Sequence, residues 1–352
     1  MPINASIEFD KAKAKYEAAQ TPSEKMEALS EMRSLAPNHK GAENLRVEIT
    51  GKIAKLREEI EKQKLAKKST GKSINVKKDG DGQIVILGLP NTGKSTLLKK
   101  ITGVNVEIAP YPFTTSQPEI GMMDYKGAKV QLIEVPAIIE GSGEGKANGT
   151  QLLSLARNAD AVIITCQKIS EKEIVAKELE KTGIIVFREK PKIAIKQSQF
   201  RGITISGKQH LKMSENEFES TLKSFGIFNA SVHLEEQTDQ TKLMEALDQS
   251  LDYKKTLTIN PMEETDLEKL KEKIFLLLGK IIVYTKKPGS EPDYNDPLVM
   301  KNGATISDAA EIVHKELAKN LKFAKVWGSS KYDGQRVPKD YVLQSGDVVE
   351  MS

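Results

Sequence analysis

A chain of 352 residues is long enough for two or three compact units, and with 38% hydrophobic and 29% charged residues it is not a disordered polymer. The 53 basic and 49 acidic residues leave a formal charge of +4, too evenly balanced to identify a nucleic-acid binder by itself. A single cysteine, Cys166, excludes an intrachain disulfide, and four scattered histidines offer little for a structural zinc site. No basic leader with an apolar core begins the chain, and no run of about 20 apolar residues could span a bilayer. The expectation is a cytoplasmic protein without stable membrane insertion.

Residues 8–33 and 43–68 read as helices separated by the breaker-rich SLAPNHKG, and the simplest arrangement is a hairpin. In the second, Leu45, Val47, Ile49, Ile53, Leu56, Ile60 and Leu65 recur at a mostly three- to four-residue spacing with Lys and Glu on the other face. The stretch from Lys62 to Lys78 holds seven lysines, which suits either a solvated linker or a contact with RNA. Domain boundaries are expected at 1–79, 80–280 and 281–352.

The second region opens with an apolar strand at Ile84–Leu87 and continues with buried-strand candidates at Val130–Glu134 and Ala161–Thr165. Helices read at Gly149–Asn158 and Glu171–Lys181 give the alternation of an α/β sheet. The pattern changes over 183–238, where short extended pieces in KIAIKQSQFRGITISG precede a helix. Ser214 and Glu217 have the spacing of a reciprocal cap for that helix, so this stretch reads as a small α+β insertion. A helix at Gln240–Leu251, a strand at Thr256–Ile259 and a helix at Asp266–Leu278 are assigned back to the main domain. In 281–352, IIVYT, DPLVM and DYVLQSGDVVEM read as strands and SDAAEIVHKELAKNL as a helix.

The strongest chemical signal is GLPNTGKS, Gly88 to Ser95, between a strand and a helix. Glycines at its ends let the backbone wrap an anion, and successive N–H groups with the helix terminus face phosphate oxygens. Pro90, Asn91, Thr92, Gly93 and Thr96 belong to this cradle. Lys94 would reach the β and γ phosphates and Ser95 would offer its hydroxyl to Mg²⁺. Thr114 and Thr115, about 20 residues on, stand where a mobile segment brings a hydroxyl to the metal and γ phosphate. Glu134, after an apolar strand, keeps the charge needed near Mg²⁺ but adds a methylene. Ala137 keeps an N–H but lacks the conformational range of the glycine a nucleotide switch uses there. Ile138 and Ile139 cannot orient water.

These segments, with YPFTTSQPEIGMMDYKGAKVQLIEVPAIIEG, LLSLARNADAVI and IIVYTKKPG, resemble the Drg branch of the Obg-like translation-factor GTPases across nearly the whole chain. The resemblance implies an α/β P-loop GTPase fold with an N-terminal helical hairpin, a small α+β insertion and a C-terminal ubiquitin-like TGS domain. It implies GTP or GDP with Mg²⁺ as ligands, and a ribosome, structured RNA or protein partner, the last through the TGS domain. Lys94, Thr115, Glu134 and Ala137 take the catalytic positions, and Ser95, Thr115 and Glu134 those around the metal. Asn91 matches a position that helps bind K⁺ in related enzymes. The guanine-reading NKxD becomes Asn260-Pro261-Met262-Glu263, in which Asn260 and Glu263 retain base-binding groups while Pro261 loses the lysine stem, and the SAK-like segment that follows is missing. GTP hydrolysis is therefore expected to be weak or partner-dependent, the alternative being a degenerate homologue serving as a ribosome or RNA interaction module.

Other residues read more plainly. Lys286 and Lys287 suit either phosphate contact or solvated strand-end charge. Trp327 reads as a packing anchor, Cys166 as a small core residue, and His210, His233, Arg201 and Lys208 as ordinary surface or packing residues.

Overall fold

The computed structural model describes residues 7–19, 22–36, 45–56, 76–103, 106–108, 117–321 and 323–351. The chain divides into two compact units, residues 1–73 with 188–253 and residues 74–187 with 254–352. The segment read as one helix over 8–33 forms two, α1 (Ile7–Ala18) and α2 (Pro22–Leu35), and these make the hairpin. Proline at the first position of α2 explains the break, because its fixed φ suits a helix start and its ring forbids a helix interior. Phe9, Ala12, Leu29 and Met32 fill the seam, and Lys15 Nζ lies 2.8 Å from Glu31 Oε2 across it. Residues 45–56 form α3, whose Ile49 and Ile53 join the same core. The lysine run over 62–75 lies outside the described residues.

The second unit is built on β1 (Gly82–Gly88), α4 (Lys94–Thr102), β2 (Val106–Ile108), β3 (Glu119–Tyr125), β4 (Ala128–Glu134), α5 (Gly149–Asn158), β5 (Ala161–Thr165), α6 (Ile169–Lys181) and β6 (Ile184–Ile185). The insertion comprises β7 (Ile193–Gln197), β8 (Ile203–Ser206), α7 (Glu215–Ser224), β9 (Ala230–Leu234), α8 (Gln240–Leu247) and β10 (Asp252–Tyr253). The main unit resumes with β11 (Lys255–Ile259) and α9 (Leu267–Leu277).

Its sheet runs β11-β5-β1-β4-β3-β2, parallel from β11 to β4 and antiparallel beyond. Both faces are covered, which is why Ile84–Leu87 of β1 and residues 161–164 of β5 read as unbroken apolar runs. Ile84 and Ile86 turn toward Leu97, Leu98 and Ile101 of α4 and toward α9, while Val85 and Leu87 turn toward α5 and α6. The period-two alternation thus divides one strand between two cores.

In the insertion, the sheet order is β7-β9-β8, with β7 antiparallel and β8 parallel to β9. Ser214 and Glu217 form the expected reciprocal cap, Ser214 Oγ accepting from Glu217 N at 3.2 Å and Glu217 Oε2 accepting from Ser214 N at 3.0 Å. Phe218 and Leu222 of α7 and Leu243 of α8 pack on one side of the sheet. The helix α8 therefore belongs to the insertion's core rather than to the main domain's, a placement its local sequence does not encode.

The C-terminal region has β12 (Lys280–Lys286), β13 (Asp293–Lys301), α10 (Ile306–Val313), α11 (Lys315–Asn320), β14 (Ala324–Trp327), β15 (Gln335–Val337) and β16 (Val348–Met351). Its five strands run β13-β12-β16-β14-β15 over a core of its own. The expected single helix breaks at His314, whose Nδ1 accepts from Glu316 N to start α11. Of the long strand expected over 340–351 only the end is extended. The buried Asp347 carboxylate accepts from Ser329 N at 2.7 Å and Gln344 N at 2.8 Å, and this favours a turn over a ladder. Tyr284 and Val348 turn the other way, into the core shared with Tyr125 and Phe275, and Tyr284 Oη donates to Lys126 O at 3.3 Å.

Candidate nucleotide site

β1 ends at Gly88 and α4 begins at Lys94, so the loop between them sits at the carboxyl ends of the parallel strands. Gly88 is demanded by crowding: a Cβ there would lie 2.3 Å from Thr165 Oγ1 and 2.5 Å from Thr92 Oγ1. Those two hydroxyls are 2.8 Å apart, and Thr92 Oγ1 also donates to Leu89 O at 2.9 Å, bracing the loop from below. Asn91 (φ 62°) and Gly93 (φ 84°) take left-handed conformations that bend the chain before the helix. The first N–H groups of α4, at Lys94, Ser95 and Thr96, have no carbonyl behind them within the helix and form the anion-facing end. Pro90 and Asn91 are exposed at the rim.

Three side chains converge here. Lys94 is buried and curls over the loop, donating to Leu89 O at 3.0 Å and Gly88 O at 3.3 Å. Burial lowers its pKa and the nearby Glu134 carboxylate opposes that shift. Ser95 Oγ donates to Glu134 Oε1 at 2.6 Å, so the extra methylene of glutamate does not carry the carboxylate away from the helix. Glu134 Oε2 is buried without a hydrogen-bond partner among the described residues. Burial pushes the Glu134 carboxyl above its ordinary range, against the lowering effect of Ser95. A hydroxyl and a carboxylate with a buried, unsatisfied oxygen make a hard oxygen donor set that fits Mg²⁺. Thr114 and Thr115 lie outside the described residues.

The segment after β4 is held by backbone bonds. Ile138 N donates to Gly88 O at 3.0 Å and its side chain is fully buried, so it is a packing residue beside a half-buried Ala137. Ile139 N donates to Ser142 Oγ at 3.0 Å, and Gly143 N donates to Glu178 Oε2 at 2.7 Å. Glu178 is 2% exposed, and Lys181 bridges it to Glu144 at 3.0 and 2.7 Å. Sequence reading missed this anchor, although a signal exists: Glu178 occupies the apolar stripe of α6 with Val175 and Leu179, where a carboxylate needs a partner.

At the other end of the site, Asn260 Nδ2 donates to Glu263 Oε1 at 2.8 Å and Asn260 Oδ1 accepts from Met262 N at 3.2 Å. The two residues expected to read the base are thus brought together and bonded to each other. Pro261 is buried, and its Cγ lies 3.1 Å from where a Gly93 Cβ would stand. The pyrrolidine ring covers the loop with apolar surface. Cys166 is buried, its N–H donates to Ile259 O at 3.1 Å, and burial pushes its thiol up, as fits a core residue. Lys286 lies over Trp327 at 4.2 Å and near Glu350, and Trp327 packs against the shared core.

A strand, an anion loop, a helix and a facing carboxylate, joined to a small C-terminal β-rich module, define a P-loop GTPase with an appended TGS domain. Residues 83–197 match the family model described as 50S ribosome-binding GTPase, and residues 281–351 match the TGS domain model. The chain is 33% identical to an uncharacterized GTP-binding protein of Methanocaldococcus jannaschii, covering 93% of this chain and 91% of that one. It is 31% identical to developmentally-regulated GTP-binding protein 2 of Homo sapiens, over 86% and 91% of the two chains. The corresponding figures for developmentally-regulated GTP-binding protein 1 of Xenopus laevis are 32%, 80% and 85%. The chain belongs to this Drg family of GTP-binding proteins. No helix among the described residues is long and apolar enough to cross a membrane.

Proposed function

We propose that this Drg-family GTP-binding protein acts with ribosomes or structured RNA in translation, in the cytoplasm, and hydrolyses GTP weakly or only when a partner completes its switch. The proposed domain plan is 1–79, 80–280 with an inserted α+β subdomain, and 281–352. The observation that carries the nucleotide reading is the Ser95–Glu134 contact of 2.6 Å beside the buried Lys94 at a helix start. Lys94 exchanges its two carbonyl partners for β and γ phosphate oxygens, while the loop N–H groups hold the same phosphates. Bound Mg²⁺ supplies positive charge to those oxygens. Ser95 and Glu134 would hold it, with Thr115 proposed as the switch residue that completes the set. Ala137 would present its N–H toward γ phosphate, and Asn91 would contribute to a K⁺ contact.

Weak hydrolysis is the reading supported by the departures at Glu134 to Ala137 and Asn260 to Glu263, whereas a hydrophobic Ile138 follows the pattern of the family that the chain resembles. Ile138 is buried and its N–H is committed to Gly88 O, so neither group can place water. The mutual pairing of Asn260 and Glu263 favours a second reading, a nucleotide-stabilised or nucleotide-independent ribosome or RNA interaction module. Affinities for GTP, GDP and ATP, measured with single-turnover hydrolysis in K⁺ or Na⁺ and with or without ribosomes, separate the two. The first reading expects triphosphate binding and hydrolysis that rises with ribosomes. Folded protein that binds no triphosphate overturns it.

A further inference from the structure

We infer that the solvent-facing side of the insertion's β-sheet is a binding surface for single-stranded RNA. From Lys190 to Ser214 the chain contains no acidic residue and six lysines and arginines, and it supplies both β7 and β8. The strand registers set Lys196 beside Ser231 and Ser231 beside Thr204, then Ala194 beside His233 and His233 beside Ser206. All of these side chains are exposed, while alternate residues such as Val232 and Ile205 face α7 and α8. One face of the sheet is thus core, and the other is a shelf of small hydroxyl-bearing and basic side chains.

The loops at one end of this sheet carry exposed aromatics. The 198–202 loop crosses the start of β9, held by Ser198 N to Asn229 O at 3.1 Å and Gly202 N to Asn229 Oδ1 at 2.9 Å. That crossing brings Phe200, 84% exposed, and Phe228, 62% exposed, to the same end, with Arg201 beside them. Lys196 and Arg201 carry no ion pair among the described residues, whereas Lys208 is bound to Glu215 and Lys223 to Glu219. Glu235, 3.9 Å from His233 Nε2, closes the opposite end. Two exposed phenyl rings leave apolar surface in water that a folded domain gains nothing by displaying. Unstacked bases cover such rings, free cations take the intervening phosphates, and Thr204, Ser206 and Ser231 suit the 2′-hydroxyl. A sheet this size accommodates about two or three nucleotides.

The inference deepens the proposed RNA or ribosomal partner, but its test needs neither ribosomes nor nucleotide hydrolysis. Full-length protein is titrated into fluorescein-labelled oligo(U) RNA of about 12 nucleotides, a length within known single-strand site sizes, and anisotropy is read over a range of KCl. Phe200→Ala with Phe228→Ala is expected to weaken binding on the order of tenfold or more without changing the salt slope. Lys196→Gln with Arg201→Gln is expected to weaken it and flatten the slope by about one to two units. All four residues are exposed, and unchanged thermal unfolding of each variant verifies the fold. Unchanged affinity in both double variants overturns the inference, as does equal affinity for the DNA counterpart, or a preference for duplex RNA. Binding of a protein to this face with no oligonucleotide affinity also overturns it. Failure of ribosomes to stimulate hydrolysis would count against the function proposed above and leave the oligonucleotide result standing.

Discussion

The phosphate end and the base end of the nucleotide site are made from different materials. At the phosphate end the backbone does the binding: Gly88 fits where a Cβ would strike Thr92 and Thr165, and α4 starts on a left-handed Gly93. At the proposed base end the candidate groups are side chains on a short turn, and Asn260 and Glu263 are bonded to each other. A backbone cradle is fixed by close contacts beneath it and tolerates little change. A side-chain pocket is rewritten by a few substitutions and a shortened loop while the strand leading to it stays in place.

The largest test of this contrast is Lys94→Ala. Affinity for GTP, GDP and ATP should fall alike by on the order of 100-fold, about 2.7 kcal/mol, in a fluorescent-nucleotide titration. A loss confined to GTP would move the discrimination from the base end to the phosphate end and break the comparison.

Glu178→Gln probes the anchor that ties the segment after β4 to α6. It should cost about 2 kcal/mol in urea unfolding near neutral pH, because a buried carboxylate loses charge-assisted bonds to Gly143 and Lys181. Burial alone would raise this carboxyl, but the Gly143 and Gly141 N–H groups and Lys181 together hold it below its ordinary value of 4.5. A depressed carboxyl stabilises the fold above its unfolded value and loses that contribution as pH falls through the folded one. The stability gap between wild type and Glu178→Gln should therefore be level down to about pH 4.5 and close below it. A gap that narrows on the alkaline side would show that the anchor is something other than an ionised carboxylate.

The same division explains what could be read from sequence. The phosphate loop was legible because its glycines, Lys94 and Ser95 are constrained by one another within eight positions. The two-faced sheet was legible because β1 and β5 carry the continuous apolar runs Ile84–Leu87 and 161–164. Glu178 was hidden because its partner, Gly143, is 35 residues away and donates only backbone. The assignment of α8 depends on which sheet Leu243 meets, which no local pattern carries. The break before α2 had a local signal in Pro22 that the one-helix reading of 8–33 passed over, whereas the turn at Asp347 depends on Ser329, brought close by the sheet.

The base end is sharpened by Glu263→Ala. If Glu263 leaves Asn260 to accept from guanine, wild type should prefer GTP to ATP about tenfold, and the variant should lose that preference, about 1.4 kcal/mol, with ATP affinity unchanged. Pro261 still covers Gly93 in the variant, so loop packing is preserved. Equal affinities for GTP and ATP in both proteins would mean that the Asn260–Glu263 pair stays closed with nucleotide bound. The phosphate end alone would then account for binding.

Ala137→Gly carries the smallest effect and separates two explanations of the slow switch proposed above. Glycine restores backbone freedom at 137 at a stability cost of about 0.5–1 kcal/mol. Yet the next residue is pinned, with Ile138 buried and its N–H held by Gly88 O at 3.0 Å. If residue 137 limits the turn of its peptide toward γ phosphate, single-turnover hydrolysis should rise about two- to threefold, less than 1 kcal/mol of barrier. An unchanged rate would place the limit at Ile138, because a freed peptide beside a pinned one cannot swing without first breaking the bond to the phosphate loop.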